Sequence, residues 1–131
     1  MNVYELFTGA LRSNPCHPAL TAGAGRRRRT VTYAELDRRV DAVIASFREH
    51  GMRPGERVLL AVPVSIDTFV LMLALLKAGM VVMYIDPGHG PATAARILER
   101  WPPAAIVASR SASETGASKI DTGVSPNRST R

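Results

Sequence analysis

A short glycine-containing segment carries the residues of this chain whose types and spacing best suit chemistry. Gly88, His89 and Gly90 follow an apolar segment and precede a helix-forming one, where a parallel sheet can hold a phosphate. Asp86 lies just before them, at the end of a predicted strand, where α/β enzymes often keep functional groups. The pattern lacks the third glycine of a dinucleotide fingerprint and the Lys-Ser/Thr of a P-loop. We therefore interpret it as a tight strand-to-helix turn, with phosphate binding as the alternative.

The other reactive residue types form no recognisable constellation. His17, His50 and His89 are scattered, without a second ligand at metal-binding spacing. Ser65 does not lie in a Gly-x-Ser-x-Gly elbow. Cys16 is the single cysteine, so it has no partner for an internal disulfide or a thiolate metal site. The sequence thus predicts no catalytic, cofactor-binding or metal-binding residue, and a reducing, cytoplasmic setting.

The chain is strongly basic, with a formal net charge of +6 and an isoelectric point near 10.4. Much of the excess lies in four consecutive arginines at residues 26–29, here called the arginine run, and in the polar C-terminal segment. No aromatic residues interleave the run to stack on bases. We predict a solvated surface turn and no nucleic-acid partner.

Residues 57–87 must position any site near Asp86, and they follow a strand–helix–strand pattern. Residues 58–62 and 81–85 are short, continuous apolar runs rich in β-branched residues, which is typical of parallel strands covered on both faces. Residues 66–76 are a longer run of helix formers that Gly79 ends. This order predicts an α/β fold class, built on a parallel βαβ unit.

The helix of residues 65–78, from Ser65 to Ala78, is apolar on all sides. Such a helix is either buried in a large core or lies in a membrane, and residues 68–85 approach the length of a membrane span. The helix-ending Gly79 and the β-branched residues after it favour the βαβ unit, so no transmembrane span is expected. We expect one helix face to pack on the sheet and the other, with Leu71, Met72 and Leu75, to remain uncovered. That face predicts self-association or dependence on a partner.

Amphipathic helices and a hairpin flank this unit. A capping box at Thr32 and Glu35 predicts the start of a long helix, and Gly51 its end. Residues 18–21 and 30–32 predict a hairpin around the arginine run. Three helical stripes are predicted to be buried: Val3, Leu6, Phe7, Ala10 and Leu11; Leu36, Val40, Val43, Ile44 and Phe47; and Ala94, Ile97, Leu98 and Trp101.

The end of the chain has a different composition. Residues 104–108 predict one more short strand, and from residue 109 onward Ser, Thr, Gly and Ala dominate. Such a segment cannot bury enough apolar surface to become ordered. We therefore predict a domain at residues 1–108 and a polar, disordered tail at residues 109–131.

Several landmarks together resemble the opening of the adenylate-forming (AMP-binding) enzymes. These are Thr-Tyr-Ala-Glu-Leu at residues 32–36, Gly-Met-Arg-Pro-Gly-Glu-Arg-Val at 51–58, and Leu-Leu-Lys-Ala-Gly-Met-Val followed by Asp-Pro within 75–87. The family includes acyl-CoA synthetases, acyl-AMP ligases, peptide-synthetase adenylation domains and luciferases. The resemblance covers roughly residues 2–108, and the turn at residues 86–90 is most similar to fatty-acyl and olefin-pathway members.

The resemblance implies a ligase that uses ATP and magnesium to convert a carboxylate to an acyl-adenylate. The family's phosphate loop ending in Pro-Lys, its Tyr-Gly-x-Thr-Glu segment, its Thr-Gly-Asp ribose contact and its C-terminal lysine have no counterpart here, and residues 113–119 do not form that loop. We therefore expect an N-terminal fragment without turnover of its own, whose partner is the remainder of the ligase. The alternatives are a standalone α/β binding module and a small membrane-associated protein.

Overall fold

The computed structural model describes residues 2–108, so the predicted tail at residues 109–131 lies outside the described part. Within residues 2–108, four helices and five strands follow in the predicted order, which confirms the mixed α/β fold class. The helices are α1 (Tyr4–Ser13), α2 (Tyr33–Glu49), α3 (Ile66–Lys77) and α4 (Gly90–Arg100). The strands are β1 (Pro18–Ala22), β2 (Arg29–Thr32), β3 (Arg57–Ala61), β4 (Val81–Tyr84) and β5 (Ala105–Ala108). Short 3-10 turns lie at Gly25–Arg27 and Pro87–His89.

The described residues divide into two compact units. The first unit contains residues 2–55 and 64–80, with α1, the β1–β2 pair, α2 and α3. The second contains residues 56–63 and 81–108, with β3, β4, α4 and β5. Each unit is described by itself below.

In the first unit, the signals at the ends of α2 act largely as predicted. The Thr32 hydroxyl accepts a hydrogen bond from the Glu35 backbone N–H at 3.2 Å. The Glu35 carboxylate does not return to Thr32, however, because it accepts from Arg39 at 2.6 Å. Gly51 follows the helix with φ of 72°, a left-handed conformation that glycine adopts without strain. Half of the predicted capping box therefore forms.

The burial of the first two helices follows their amphipathic pattern, with one correction. On α2 the side chains of Leu36, Val40, Ile44 and Phe47 are buried, as predicted, whereas Val43 is half-buried. On α1 the buried residue is Tyr4, whereas Val3 and Leu6 are 62% and 67% exposed. The predicted α1 stripe was wrong at these two positions, because the aromatic ring of Tyr4 packs on Phe7 and its hydroxyl finds a polar partner.

Helix α3 is covered where the sequence predicted an uncovered face. Leu71 is 3% exposed and Leu75 is fully buried, so that prediction was wrong at these two residues. The reason is that α1, α2 and β1 all contact α3 within the first unit. Met72, the third residue of the predicted uncovered face, keeps partial exposure. Other apolar residues of α3 that keep some exposure are Ile66, Phe69, Leu73 and Leu76.

The membrane alternative requires residues 68–85 to form one continuous apolar span. That stretch is divided between α3 and β4, with Gly79 between them at φ of 73°. Among residues 2–108, no helix combines the length and the apolar character needed to cross a bilayer.

The second unit is built on a three-stranded sheet in the order β4–β3–β5, and both pairings are parallel as predicted. In the register, Leu59 lies beside Met83 on one side and Ile106 on the other. Since successive side chains of a strand alternate between faces, these three residues share one face of the sheet. On the opposite face, the residues of β3 and β5 are buried, with Val58, Leu60, Ala105 and Val107 all at most 3% exposed, whereas Tyr84 of β4 is 37% exposed.

The apolar stripe predicted to be buried on α4 is not buried. No residue of α4 is fully buried, Ala94, Ile97 and Leu98 are only half-buried, and Trp101 at its C-terminal end is 52% exposed. The periodicity identified the apolar face correctly. It could not show whether the described residues supply enough surface to cover that face.

Candidate functional site

The turn between β4 and α4 was the strongest sequence candidate for chemistry, and its groups are occupied in holding the backbone. The Asp86 carboxylate accepts from the Gly88 N–H at 2.9 Å. The Asp86 carbonyl accepts from the His89 N–H at 3.0 Å, which closes the 3-10 turn Pro87–His89. Gly90, with φ of 77°, then leads into α4. Asp86 therefore acts as the capping residue of a strand-to-helix turn.

The contacts of this turn favour a structural role over phosphate binding. Phosphate sites at helix N-termini depend on free backbone N–H groups that point at the anion. Here the Gly88 and His89 N–H groups already donate to Asp86, and Pro91 has no N–H. The Asp86 carboxylate also places a negative charge at the same turn. The interpretation as a structural turn accounts for all of these contacts.

The residue types that could bind a metal are dispersed. The His50 ring nitrogen lies 2.7 Å from the Ser46 carbonyl, and the His89 ring nitrogen lies 3.3 Å from the Asp86 carbonyl, so both side chains contact backbone near a helix end. His17 and Cys16 are exposed. Within residues 2–108 no group of three His, Cys, Asp or Glu side chains could hold a metal ion.

A polar cluster in the first unit, which the sequence did not reveal, joins three helices. The cluster consists of Tyr4 on α1, Asp37 and Asp41 on α2, and Lys77 on α3, and is called the lysine cluster below. Lys77 Nζ donates to Asp37 Oδ1 at 2.9 Å and to Asp41 Oδ1 at 2.6 Å. The Tyr4 hydroxyl donates to the same Asp37 oxygen at 2.5 Å. The ammonium group also lies 4.9 Å from the centre of the Tyr4 ring, within range of a cation–π interaction.

The electrostatics of the lysine cluster favour its charged carboxylate and ammonium. Burial would raise the pKa of Asp37, but hydrogen bonds from Tyr4 and Lys77 outweigh burial and hold that pKa below its ordinary value. Burial would lower the pKa of Lys77, but its hydrogen bonds to Asp41, Asp37 and Tyr4 raise it. Burial, followed by the hydrogen bond to Asp37, raises the pKa of Tyr4 to about 12.

These shifts stabilise an ion pair and do not prepare a group for proton transfer at neutral pH. A general acid or base needs a pKa near the working pH, whereas every shift in the lysine cluster moves a pKa further from neutrality. Asn2 strengthens the same connection, because its side-chain amide donates to the Leu76 carbonyl at 2.5 Å. We therefore assign the lysine cluster to the fold of the first unit. Asp37 and Asp41, four residues apart on α2, were the available signal in the sequence.

The arginine run lies where the hairpin prediction placed it. Its four side chains are exposed, on the 3-10 turn Gly25–Arg27 and at the start of β2. Gly23 supports the turn with φ of 81°, and a Cβ at that position would lie 2.6 Å from the Arg27 carbonyl oxygen. The surface-turn prediction is confirmed.

One shallow depression is lined entirely by side chains of α4 and the residue that follows it. These are Thr93, Arg96, Ile97, Glu99, Arg100 and Trp101. A single helix cannot enclose a ligand, so these residues alone do not form a binding site. Within residues 2–108, the contacts described above belong to turns, helix caps and the lysine cluster, which together form a folded scaffold.

Comparison with known proteins relates this scaffold to a family. The AMP-binding enzyme family model matches residues 7–130. An olefin beta-lactone synthetase from Xanthomonas campestris is 40% identical over 78 residues, which are 60% of this chain and 14% of that protein. A nonribosomal peptide synthetase-like enzyme, fsqF, from Aspergillus fumigatus is 34% identical over 118 residues, or 90% of this chain and 8% of that protein. A salicyl-AMP ligase / salicyl-S-ArCP synthetase from Mycobacterium tuberculosis is 42% identical over 59 residues, which are 45% of this chain and 10% of that protein.

Solved structures agree on the fold. The N-terminal subdomain of NpsA from Klebsiella oxytoca superposes with a TM-score of 0.76 at 22% identity, covering 88% of this chain and 29% of that one. A benzoate CoA ligase from Burkholderia xenovorans gives a TM-score of 0.71 at 24% identity, and the match covers 82% of this chain and 21% of that one. The chain spans 8% to 14% of the length of the three relatives above. On the family match and the shared fold, the chain belongs to the AMP-binding enzyme family of adenylate-forming ligases.

Proposed function

We propose that this chain supplies the N-terminal part of an ATP-dependent ligase that activates a carboxylic acid as its acyl-adenylate, with release of pyrophosphate. The observation that carries the proposal is the family match over residues 7–130. The match to a solved N-terminal subdomain supports the placement of the chain within such a ligase. In this proposal the chain contributes a folded scaffold.

The chain by itself is proposed to have no turnover. None of its 131 residues forms the family's phosphate loop, ribose contact or catalytic lysine motif. In support of this, the Asp86 carboxylate already accepts from the Gly88 N–H, and no group of three His, Cys, Asp or Glu side chains within residues 2–108 could hold a metal ion. ATP and magnesium would therefore be held by parts of the ligase other than residues 2–108.

The substrate is proposed to be an organic carboxylic acid, with a fatty-acyl chain as the first candidate class. The similarity to an olefin beta-lactone synthetase at 40% identity supports this class, together with the turn at residues 86–90. Relatives named for salicyl-AMP and nonribosomal peptide synthesis make aryl acids and amino acids the comparison classes. A substrate panel must include all three.

The test is ATP–pyrophosphate exchange with two proteins. The first is the 131-residue chain alone, and the second is a chimera in which residues 2–108 replace the matching segment of the Xanthomonas campestris olefin beta-lactone synthetase. We expect exchange from the chimera with at least one carboxylate, and none above background from the chain alone. An unmodified synthetase is the positive control.

Either of two results would contradict the proposal. A soluble, folded chimera that fails to exchange with every carboxylate would refute the scaffold role. Exchange by the lone chain would refute the claim that it has no turnover. In that case Asp86→Asn would show whether the turn at residues 86–90 takes part.

A further inference from the structure

The positive charge of the chain is concentrated in one segment. Residues 6–34 contain five arginines, namely Arg12 and the arginine run, and no aspartate or glutamate. This segment therefore contributes +5 of the formal net charge of +6. The other residues hold the remaining 12 of the 17 lysines and arginines and all 11 acidic residues, so together they contribute only +1. The basic character of the chain is thus largely a property of the segment that contains the β1–β2 hairpin.

The arginine run lies on the exposed tip of that hairpin. Every residue from 23 to 30 is exposed. The backbone of the tip is nevertheless held in place, because the Arg27 N–H donates to the Ala24 carbonyl at 3.1 Å. The Arg28 N–H likewise donates to the Gly25 carbonyl at 3.2 Å. The hairpin therefore presents four guanidinium groups to solvent from a closed turn.

No carboxylate in the described part of the chain neutralises these four groups. The ion pairs within residues 2–108 have Arg39 and Lys77 as their cations, and neither belongs to the arginine run. Four neighbouring like charges without an internal counterion repel one another and create a local positive potential. An external surface with several negative charges would relieve this repulsion.

The surroundings of the run favour a layer of anionic lipid headgroups as that surface. Protein interfaces depend on a few large buried side chains, whereas residues 22–25 beside the run are Ala, Gly, Ala and Gly. No aromatic residue interleaves the run to stack on nucleic-acid bases. Successive side chains of a 3-10 turn diverge by about 120°, so the guanidinium groups spread around the tip. Lipid headgroups move laterally and can gather around such a tip, whereas the anions of a duplex or a folded protein keep fixed positions.

We propose that the arginine run docks the chain on an anionic lipid surface through a peripheral, electrostatic contact. Each arginine close to an anionic leaflet strengthens binding by about fivefold. The small residues 22–25 offer little apolar surface for insertion into the bilayer, so the contact is reversible and depends on salt. This role goes beyond carboxylate activation and does not depend on it.

Co-sedimentation with lipid vesicles tests the proposal. The 131-residue chain is mixed with vesicles of equal parts phosphatidylcholine and phosphatidylglycerol, or of phosphatidylcholine alone. One variant carries glutamine at all four positions of the arginine run, and a second carries lysine there. The matched control variant loses the same charge from exposed positions on α2 and α4: Arg38→Gln, Arg48→Gln, Arg96→Gln and Arg100→Gln. Circular dichroism checks that each protein is folded.

We expect the parent chain to sediment with the anionic vesicles and not with phosphatidylcholine alone. The chain should be released when salt is raised from about 0.1 M to about 1 M, because the screening length falls from about 10 Å to about 3 Å. The glutamine variant of the run should bind about a hundredfold more weakly or less, whereas the control variant should stay within about threefold of the parent. The lysine variant should also stay within about threefold, since it keeps the charge.

Several results would overturn the proposal. One is a folded parent chain that does not sediment with the anionic vesicles, or that sediments equally with phosphatidylcholine alone. Another is equal weakening of the glutamine and control variants, because binding would then follow the net charge of the chain and not the run. Duplex DNA and polyglutamate are tested at the same concentration of negative charge. Tighter binding to DNA would assign the run to a nucleic acid, and tighter binding to polyglutamate would assign it to an acidic protein.

The vesicle assay is independent of the proposed function. Failure of the chimera to exchange pyrophosphate would leave vesicle binding by the lone chain unaffected. Loss of vesicle binding would in turn leave the exchange result unaffected, so the two proposals fail separately.

Discussion

Replacement of Lys77 by methionine should destabilise the first unit through the loss of the lysine cluster. Methionine retains most of the apolar stem and removes the ammonium group. Two hydrogen bonds are lost, to Asp37 at 2.9 Å and to Asp41 at 2.6 Å, along with the contact to the Tyr4 ring. Because these residues lie on α1, α2 and α3, the change loosens the contacts among three helices.

The size of the effect follows from the exposure of each partner. The side chains of Lys77 and Asp37 are 30% and 26% exposed, whereas Asp41 is 58% exposed. Exposed ion pairs contribute about 0–1 kcal/mol, and hydrogen bonds to charged groups contribute about 1.5–3 kcal/mol. The partly buried pair lies between these limits, so we expect a loss of about 1–2 kcal/mol in the free energy of unfolding. Asp37 keeps its hydrogen bond from Tyr4, which prevents a larger loss.

Urea unfolding followed by far-ultraviolet circular dichroism measures the difference in free energy of unfolding between the parent chain and Lys77→Met. Arg39→Met is the matched control. Arg39 bonds Glu35 at 2.6 Å on the same helix and lies 3.8 Å from Asp67 on α3, but all three side chains are at least 36% exposed. The control should therefore cost less than about 0.5 kcal/mol. A cycle with Asp37→Asn isolates the coupling of Asp37 to Lys77. If Lys77→Met costs no more than Arg39→Met, the structural role assigned to the lysine cluster is wrong.

The pH dependence supplies an independent check. The pKa of Asp37 is lowered in the folded state, so its stabilising contribution is complete above its unfolded pKa of about 3.9. The contribution is lost as the pH falls through the lower folded pKa. The difference in free energy of unfolding between the parent chain and Lys77→Met should consequently become smaller in that acid range. A difference that stays constant down to a pH of about 2 would show that the carboxylate is not the partner that matters.

Three further predictions concern single groups. The pKa of Tyr4 is raised to about 12 in the folded state. Its contribution to stability is therefore complete below the unfolded pKa of about 10 and is lost as the pH rises through the folded value. Tyr4→Phe should remove this alkaline step from the plot of unfolding free energy against pH. Ser65→Ala should lower the free energy of unfolding by about 1 kcal/mol, measured in urea, because the Ser65 hydroxyl accepts from the Thr68 N–H at 3.2 Å at the start of α3; an unchanged midpoint would contradict the cap. Replacement of all four arginines at residues 26–29 by serine should change the free energy of unfolding by less than about 0.5 kcal/mol, since the turn is exposed. In a titration with nucleic acid at several salt concentrations, we expect no strongly salt-dependent binding by the parent chain that is lost in the variant. Binding that disappears in the variant would contradict the solvated-turn interpretation.

Much of the fold could be predicted because its signals are local. Gly51 and Gly79 end their helices in the left-handed conformation that favours glycine, and Thr32 begins α2 as a cap. The continuous apolar runs at residues 58–62 and 81–85 correspond to the parallel strands β3 and β4. These features depend on neighbouring residues, so short windows of sequence are enough to identify them.

The turn at residues 86–90 shows what local patterns leave undecided. The turn at Asp86 resembled both a phosphate site and an ordinary turn, and the sequence left both open. The structure favours the ordinary turn, because the Gly88 and His89 N–H groups donate to Asp86. A sequence pattern does not specify which of two competing acceptors receives a hydrogen bond.

By itself, the sequence determined the order and type of the elements, the caps and turns between them, and the resemblance to adenylate-forming enzymes. Only the tertiary structure decided that Tyr4 is buried in place of Leu6, that Leu75 is covered, and that Trp101 is exposed. It also brought Lys77 to Asp37, forty positions away in the chain. The physical reason is that helical periodicity identifies a face that could be buried, whereas actual burial and pairing depend on which distant residues pack against that face.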